Sequence, residues 1–461
     1  MDATCRFVRN FSAISYNDLS TNAIETTKKQ LLDFIGVATA GSSKSGAKEI
    51  TELYTDTGGA EQSSIIYRGN KLPVANAAQV NATMVHSLDY DDVHEAAIIH
   101  PGVVTISTLL AMAEYAGGLS GKDFIRINAL GTDLICRLGL ATRPGQNVHV
   151  FGWHLTTLYG YMTAAAVASM VMGLDEEKTI NAIGIGYHQS AGNGQCVRDG
   201  ALTKRMGPGF AVRGGITAAL LADRGVTGAK NSLEGEAGIF KVYHQNSYSR
   251  DSLLSELGTR LEIENVSIKP YPCCRGTHPP IDAALTMVRN NNIKPGDIEN
   301  ILVSLGEATY GFLGSPLEVK ARPRNIVDSQ FSVPWCVATA LAKGHVRVGD
   351  FTEEAIKDQE ILATAAKIKT EPVPAFTDPG IEPARVEVIT KNGKKFSEQV
   401  DFPTGTPARP LSYNQCEEKF RDCITHAEKP MPAGNADYLV KLIARLEEVS
   451  DVREVMALTK W

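Results

Sequence analysis

The chain of 461 residues lacks the short motifs that assign many enzymes at once. It has no Walker A loop, no G-x-G-x-x-G after a strand, no G-x-S-x-G turn and no H-E-x-x-H pair. His94-Glu95 is not followed by a second histidine at the metalloprotease spacing. A Ser-His-Asp hydrolase and the common nucleotide-binding classes are therefore poorly supported.

Several bulk features are also missing. The net charge is -6, so the chain has no basic excess for nucleic acid or an anionic membrane. No apolar run is expected to reach the roughly 18 residues that span a bilayer, and the N-terminus does not have the pattern of a signal peptide. The eight cysteines are scattered without a Cys-x-x-Cys pair. They indicate reduced thiols in a cytoplasmic protein.

The first 260 residues are dominated by helical patterns rich in alanine and glycine. Such segments pack closely on one another inside a helical domain. The predicted helices cover residues 22–39, 74–88, 103–116, 122–140, 156–172, 176–187 and 210–223.

From about residue 261 the pattern alternates between strand and helix. Strands are predicted over 263–268, 301–305, 385–390 and 395–400, and helices over 281–290 and 331–342. Asn392-Gly393 between the last two strands is a strong hairpin signal. The predicted fold is mainly α with an α+β domain. An all-helical domain of residues 1–265 and 405–461 carries an inserted α+β lid domain of residues 266–404.

The segment from His86 to His100 holds three histidines and four carboxylates next to an apolar helix. Acids and imidazoles against apolar walls shift one another's pKa values, as catalytic groups require. Two other interpretations stay open. The segment is a metal site, or it is a loop whose carboxylates cap backbone amides.

Three further segments carry groups that suit a site. His154 precedes an apolar helix, where a neutral imidazole serves as a general base. The glycine-rich loop 199–209 carries Lys204 and suits an anion. Residues 269–279 carry Lys269, Cys274, Arg275 and His278 at the predicted boundary between the two domains, where prolines restrict the backbone. Each also has a structural interpretation, as a satisfied histidine, a solvated turn or a hinge.

Together these segments resemble the MmgE/PrpD family of 2-methylcitrate dehydratase, cis-aconitate decarboxylase and iminodisuccinate epimerase. The resemblance covers nearly the whole chain. The residues that carry it are Leu88 to Asp92 with His100-Pro101, Gly152-Trp153-His154, Lys204-Arg205, Leu233-Glu234-Gly235, Lys269-Pro270-Tyr271 with Cys273-Cys274, and Gln330-Phe331-Ser332.

The resemblance implies a large helical domain formed by both chain ends, an inserted lid and an active site in the cleft. It implies a homodimer that needs no metal or organic cofactor and acts on small di- and tricarboxylates. It places Asp89, His100, His154, Lys204 and Lys269 in the site. The chain differs from relatives at three positions, with Val93 for a common threonine, Trp335 for a tyrosine and Cys274 for a histidine of the animal-type decarboxylase.

The expected mechanism uses His154 as the proton-transfer base or acid and His100, held by Asp89, as its counterpart. Lys204, Lys269 and Arg275 would bind substrate carboxylates and stabilise an enolate-like dianion.

A lyase is favoured, with His278 and Cys274 also at the substrate. The alternatives are an epimerase that uses the same site, a non-catalytic carboxylate-binding protein and a metal-dependent hydrolase. Covalent catalysis by Cys274 is a minor possibility, since no base is placed beside it.

Overall fold

The structure is a computed structural model that describes residues 1–142, 152–377 and 380–461. It divides into two compact units. The first unit contains residues 1–87, 91–268 and 412–461, so it includes both ends of the chain. The second contains residues 88–90 and 269–411.

The first unit is built almost entirely from helices, as its alanine-rich apolar patterns predict. One two-residue hairpin, β1 (Ser63–Ser64) with β2 (Lys71–Leu72), is added to them. The helices are Ala3–Ala13, Thr21–Gly41, Ala47–Thr57, Val74–His86, Pro101–Tyr115, Gly121–Thr142, Leu155–Val171, Glu176–Gln189, Gln195–Asp199, Thr203–Asp223, Ile239–His244, Arg250–Leu254, Tyr413–Cys423, Ala433–Ala444 and Arg453–Leu458.

Close packing of the helices Leu155–Val171 and Thr203–Asp223 depends on small residues. A Cβ added at Gly215 would lie 2.5 Å from the Cβ of Ala164 and 2.6 Å from the carbonyl oxygen of Tyr161. Only glycine permits the two backbones to approach this closely. The contact matters for function because both helices begin at residues of the candidate site.

The expectation that no segment is long and apolar enough to span a membrane is wrong on length and composition. The segment Leu155–Met172 has 18 residues and a mean hydropathy of 1.3. In the structure 78% of this segment is buried. Its apolar composition is that of a core helix in the first unit, where most of its residues are covered.

The second unit contains a four-stranded mixed sheet. Its order is β4 (Ile368–Pro372), β3 (Ile298–Leu305), β5 (Ala384–Thr390), β6 (Lys395–Val400). β3 and β4 are parallel, and the other pairs are antiparallel. Val303 faces Val386 in the register of β3 and β5, and both are fully buried. The predicted hairpin is confirmed, and Gly393 adopts a φ of 81° in its turn.

Helices pack against this sheet around one apolar core that includes Ile281, Val303 and Trp335. They are His278–Asn291, Glu307–Thr309, Leu317–Lys320, Ile326–Gln330, Val333–Lys343 and Gln359–Ala365. The predicted strand over 263–268 is wrong. Residues Glu262–Asn265 form a 3-10 turn in the first unit, because the Glu262 amide donates to the buried Asp133 carboxylate at 2.9 Å. The mainly helical class with added β structure is confirmed.

Candidate active site

Three side chains of the acidic-histidine segment meet inside the first unit. His86 Nδ1 lies 2.8 Å from Asp91 Oδ2, and both side chains are fully buried. His100 Nδ1 lies 3.3 Å from the same oxygen, and this imidazole is 16% exposed. The rings of His86 and His100 meet edge to face at 5.0 Å. One buried carboxylate thus faces two imidazoles, of which only His100 reaches solvent.

His154 is the third imidazole of this cluster. Its ring lies edge to face against His86 with the centroids 5.8 Å apart, and it is half-buried. Its Nδ1 is 2.7 Å from Thr157 Oγ1, one turn into the following helix. This contact fixes the ring orientation and occupies Nδ1, so Nε2 is the nitrogen that remains for proton transfer. We call His86, Asp91, His100 and His154 the histidine cluster.

Helix N-termini bring the cluster together. His100 and His154 are the N-cap residues of Pro101–Tyr115 and Leu155–Val171. The His100 amide donates to Thr156 Oγ1 at 3.0 Å, which joins the two helix starts. The positive end of the dipole of Leu155–Val171 lies at His154 and adds to the effects that disfavour protonation of this imidazole.

Lys204 lies in the first turn of a third helix, Thr203–Asp223. This corrects the predicted loop over 199–209, because the helix begins seven residues before Phe210 and continues through Pro208. The lysine acts electrostatically on both His86 and His154. It thus supplies a positive charge near His86 and His154, and its role in anion binding stays a prediction.

The charge states of the cluster follow from burial and neighbours. Burial lowers the pKa of His86 to about 4, although Asp91 opposes the shift. Burial also lowers the pKa of His154 well below its ordinary value, and His86 and Lys204 add to this effect. Burial alone would raise the pKa of Asp91, yet His86 and His100 hold it well below its usual range. At neutral pH the cluster therefore holds an ionised carboxylate and neutral His86 and His154.

Asp92 faces away from the histidines into a buried polar network. Its Oδ2 accepts from Gln30 Nε2 at 2.7 Å and from the Gly102 amide at 3.1 Å. A Cβ at Gly102 would lie 2.6 Å from the Asp92 carboxylate, so only glycine fits there. Burial and the adjacent Asp91 raise the pKa of Asp92 to about 7. This carboxyl fixes the start of the helix that His100 caps.

His94 has a structural role. Its Nδ1 accepts from the Ala97 amide at 3.1 Å, and its Nε2 lies 3.1 Å from Glu262 Oε2. The ring has no nitrogen left for a substrate. Of the three histidines in the segment, His86 and His100 belong to the histidine cluster, and His94 supports the loop before His100.

Asp89 and Lys269 form a buried pair in the second unit. Lys269 Nζ donates to the Asp89 carbonyl oxygen at 2.9 Å and to Oδ2 at 3.2 Å. These bonds hold Asp89 in a left-handed conformation with a φ of 52°. Within the first unit, the carboxylate next to His100 is that of Asp91. The expected pairing of Asp89 with His100 stays a prediction.

Arg275 and His278 also pair with each other in the second unit. Arg275 donates to His278 Nδ1 at 2.7 Å and to the Thr404 carbonyl oxygen at 3.1 Å. His278 Nε2 lies 3.3 Å from the Cys273 carbonyl oxygen, to which it donates. Burial and then Arg275 and Lys269 hold the pKa of His278 well below its ordinary value. His278 is thus a neutral support for the guanidinium.

Cys274 carries a thiol that stays protonated at neutral pH. Burial, with a smaller effect from Asp89, raises the pKa of Cys274 to about 11. Thiolate nucleophiles need the opposite shift. Cys274 therefore suits a polar contact better than covalent catalysis.

The sequence-predicted site residues fall into two groups. His100, His154 and Lys204 lie in the first unit, and Asp89, Lys269, Cys274, Arg275 and His278 lie in the second. Sequence reasoning did not single out His86 and Asp91 within the acidic-histidine segment. Their signal was present, since His86 ends the helix Val74–His86 just before the carboxylates, but six neighbouring titratable residues gave the same signal.

A metal ion is a second chemical possibility for this cluster. One ligand atom each from His86, Asp91 and His100 lies within 4.8 Å of the others, and two histidines with a carboxylate suit a transition metal. The direct 2.8 Å contact of His86 with Asp91 already satisfies one oxygen of that carboxylate. The donor set thus fits a metal, and the pairing also fits a proton-transfer site without one.

The pKa of His154 should depend on Lys204. We expect an NMR titration of histidine ring protons to place the midpoint of His154 below pH 6.5. In Lys204→Gln the midpoint should rise, because an ammonium that disfavours the imidazolium is lost. Lys178→Gln, which removes an exposed lysine paired with Asp223, is the control. An unchanged His154 midpoint in Lys204→Gln would contradict the assigned electrostatics.

Comparison with known proteins identifies the family of the chain. The MmgE/PrpD N-terminal domain matches residues 5–250, and the MmgE/PrpD C-terminal domain matches residues 271–441. The chain therefore belongs to the MmgE/PrpD family.

Curated relatives match over almost their full length. The chain is 26% identical to the cis-aconitate decarboxylase-like protein oryM of Aspergillus oryzae, over 96% of this chain and 94% of the relative. It is 24% identical to cis-aconitate decarboxylase of Aspergillus terreus, with the same coverage. Identity to the Homo sapiens cis-aconitate decarboxylase is 26%, over 98% of this chain and 94% of the relative.

Proposed function

We propose that this protein is a lyase that acts on a small di- or tricarboxylate without a cofactor, by proton transfer next to a carboxylate. Decarboxylation or dehydration is the proposed outcome. The observation that carries the proposal is the histidine cluster, in which His154 and His100 reach solvent while a buried Asp91 faces His100. The names of the relatives support the decarboxylase form of the reaction.

The proposed roles follow from the charge states. His154 is neutral at neutral pH, so its Nε2 is able to take a proton from carbon. His100 Nδ1 lies 3.3 Å from Asp91 Oδ2, and we assign His100 as the proton donor that this carboxylate orients. General acid-base catalysis of this kind contributes about 10²–10⁴-fold in rate.

Each outcome passes an electron pair through the carbon next to a carboxyl group. In a decarboxylation the C–C bond to the leaving carboxylate breaks with release of CO₂, and its electron pair is delocalised toward a neighbouring carboxyl group until an imidazolium protonates carbon. In a dehydration a neutral imidazole takes a proton from carbon, and that electron pair expels the β-hydroxyl, which is protonated by the second imidazole and leaves as water. Lys204 in the first unit and Lys269 and Arg275 in the second are the proposed cations that stabilise the developing charge.

The experiment that tests the function is proton NMR of the purified protein in deuterated water with a substrate panel. The panel contains 2-methylcitrate, citrate, cis-aconitate and an aminated or iminated succinate. Formation of an alkene or loss of CO₂ from one member is the expected result. Exchange of an α-proton with inversion and no elimination would instead favour the epimerase alternative, which uses the same histidines.

Two further arms separate the remaining alternatives. Metal analysis, with turnover measured before and after chelation, tests the metal-dependent hydrolase that His86, Asp91 and His100 would also permit. Binding of polycarboxylates without turnover or exchange would indicate the non-catalytic carboxylate-binding protein. A homodimer in the cytoplasm remains part of the proposal, and sedimentation of the purified protein tests the dimer.

A further inference from the structure

We propose that Lys320, which the sequence analysis did not single out, binds one carboxylate of the substrate and helps to select polycarboxylates. The inference rests on the proposed function. It concerns the second unit alone, where Lys320 ends the short helix Leu317–Lys320. Three observations carry it: the hydrogen bonds that hold the Lys320 ammonium, its lack of an ion pair in the described part of the chain, and its aromatic neighbours.

Lys320 is held by hydrogen bonds to the segment Gln330–Ser332. Lys320 Nζ donates to the Phe331 carbonyl oxygen at 2.8 Å, and Ser332 Oγ donates to the Lys320 carbonyl oxygen at 2.6 Å. The preceding residue, Gln330, accepts from the Cys274 amide at 2.9 Å. Consecutive carbonyl groups of one segment thus hold Lys320 and Cys274, which places the ammonium in the neighbourhood of that thiol.

Gln330 connects the segment that holds Lys320 to the two loops of the second unit that carry Asp89 and Lys269. Its Nε2 donates to the Leu88 carbonyl oxygen at 2.7 Å and to the Pro272 carbonyl oxygen at 3.0 Å. Leu88 precedes Asp89, and Pro272 follows Lys269 by three residues. The segment Gln330-Phe331-Ser332 therefore contacts the loops that carry Asp89, Lys269 and Cys274. Lys320 is bound to the same segment.

The charge of Lys320 is not balanced by an ion pair within the described part of the chain. The side chain is half-buried, and its one hydrogen bond there is to a neutral carbonyl oxygen. Burial lowers the pKa of Lys320 and outweighs the opposing effects of Cys274, Asp328 and Cys336. An ammonium held this way loses hydration without gaining a counter-ion, so an anionic ligand is favoured beside it.

Aromatic rings line one side of this ammonium. Lys320 Nζ lies 6.0 Å from the centroid of Phe312, and Phe312 meets Phe331 edge to face at 5.8 Å. Phe312 is 45% exposed although it is a large apolar side chain. A ligand that places a carboxylate on Lys320 would set its carbon skeleton against these rings. Small organic acids meet both requirements, and inorganic anions meet only the first.

The test compares ligand binding by Lys320→Gln with binding by the native protein. Calorimetry with citrate should show affinity about 10–100-fold weaker in the variant, the loss expected for one charge-assisted hydrogen bond. With acetate the two proteins should differ less than with citrate, because acetate has no further carboxylate and no longer carbon skeleton to set against the rings. Lys320→Arg should keep much of the citrate affinity because it keeps the charge.

Lys367→Gln is the matched control. Lys367 is also half-buried in the second unit, and its Nζ donates to the carbonyl oxygens of Pro295 at 3.2 Å and Ile298 at 2.8 Å. Loss of a purely structural lysine should leave citrate affinity unchanged. Equal weakening by Lys367→Gln and Lys320→Gln, or native affinity in Lys320→Gln, would overturn the inference.

A second measurement uses the native protein, so it does not depend on whether Lys320→Gln folds. In the native protein, reductively methylated with ¹³C, the Lys320 methyl signal should move on addition of citrate, and the Lys367 signal should not. A stationary Lys320 signal in a protein that binds citrate would contradict the inference. Citrate binding through Lys320 without turnover of any panel member would contradict the proposed lyase and leave the Lys320 site standing.

Discussion

Replacement of His154 by alanine is expected to lower kcat by about 10²–10⁴-fold, the contribution of one positioned general acid or base. The native imidazole is neutral at working pH, and Thr157 Oγ1 fixes its Nδ1 at 2.7 Å. Alanine leaves no group in the cluster that takes over from Nε2, since His86 is buried behind it. Steady-state kinetics on the substrate found by NMR would measure the loss.

The matched control is a buried histidine outside the histidine cluster. His94→Gln keeps a donor that is able to reach Glu262 and should retain near-native kcat, because His94 has no nitrogen facing a ligand. KM in His154→Ala should change less than kcat if the imidazole acts mainly in the transition state. Full turnover by His154→Ala would remove this histidine from the mechanism.

Replacement of Arg137 by methionine is expected to lower the free energy of unfolding by about 3–5 kcal/mol, the usual cost of breaking a buried ion pair. Arg137 is fully buried, and its Nε lies 2.8 Å from Asp133 Oδ1. It also donates to the carbonyl oxygens of Ser255 at 2.8 Å and Arg260 at 2.7 Å. The variant leaves the two carbonyl groups without this donor, and the buried Asp133 carboxylate loses the guanidinium and keeps the Glu262 amide.

The deficit of Arg137→Met should also depend on pH. Burial already raises the pKa of Asp133 to about 6 in the presence of the guanidinium. Without the guanidinium the pKa of Asp133 in the folded state should rise further above its unfolded value. The free energy of unfolding should therefore fall more steeply as pH rises. Urea unfolding at pH 6 and pH 8 would measure both effects. Arg445→Met, at an arginine that is 70% exposed, should change stability by less than about 0.5 kcal/mol.

Local sequence patterns determined most of the secondary structure. The predicted helices over 103–116 and 122–140 correspond to Pro101–Tyr115 and Gly121–Thr142. The Asn392-Gly393 hairpin joins β5 and β6 as expected. These elements depend on short-range periodicity and turn chemistry, which a single sequence contains. The strand predicted over 263–268 failed because the buried Asp133, far away in sequence, binds the Glu262 amide.

The sequence by itself also determined which chemistry is present in this protein: imidazoles, carboxylates and lysines beside apolar helix starts. Only the tertiary structure decided their partners. It placed Asp91 against His86 and His100, paired Asp89 with Lys269, and paired His94 with Glu262. The physical reason is that pairing and burial depend on backbone direction and long-range packing. A left-handed residue at Asp89 and the joined starts of two helices at His100 and Thr156 set those directions, and no spacing along the chain encodes them.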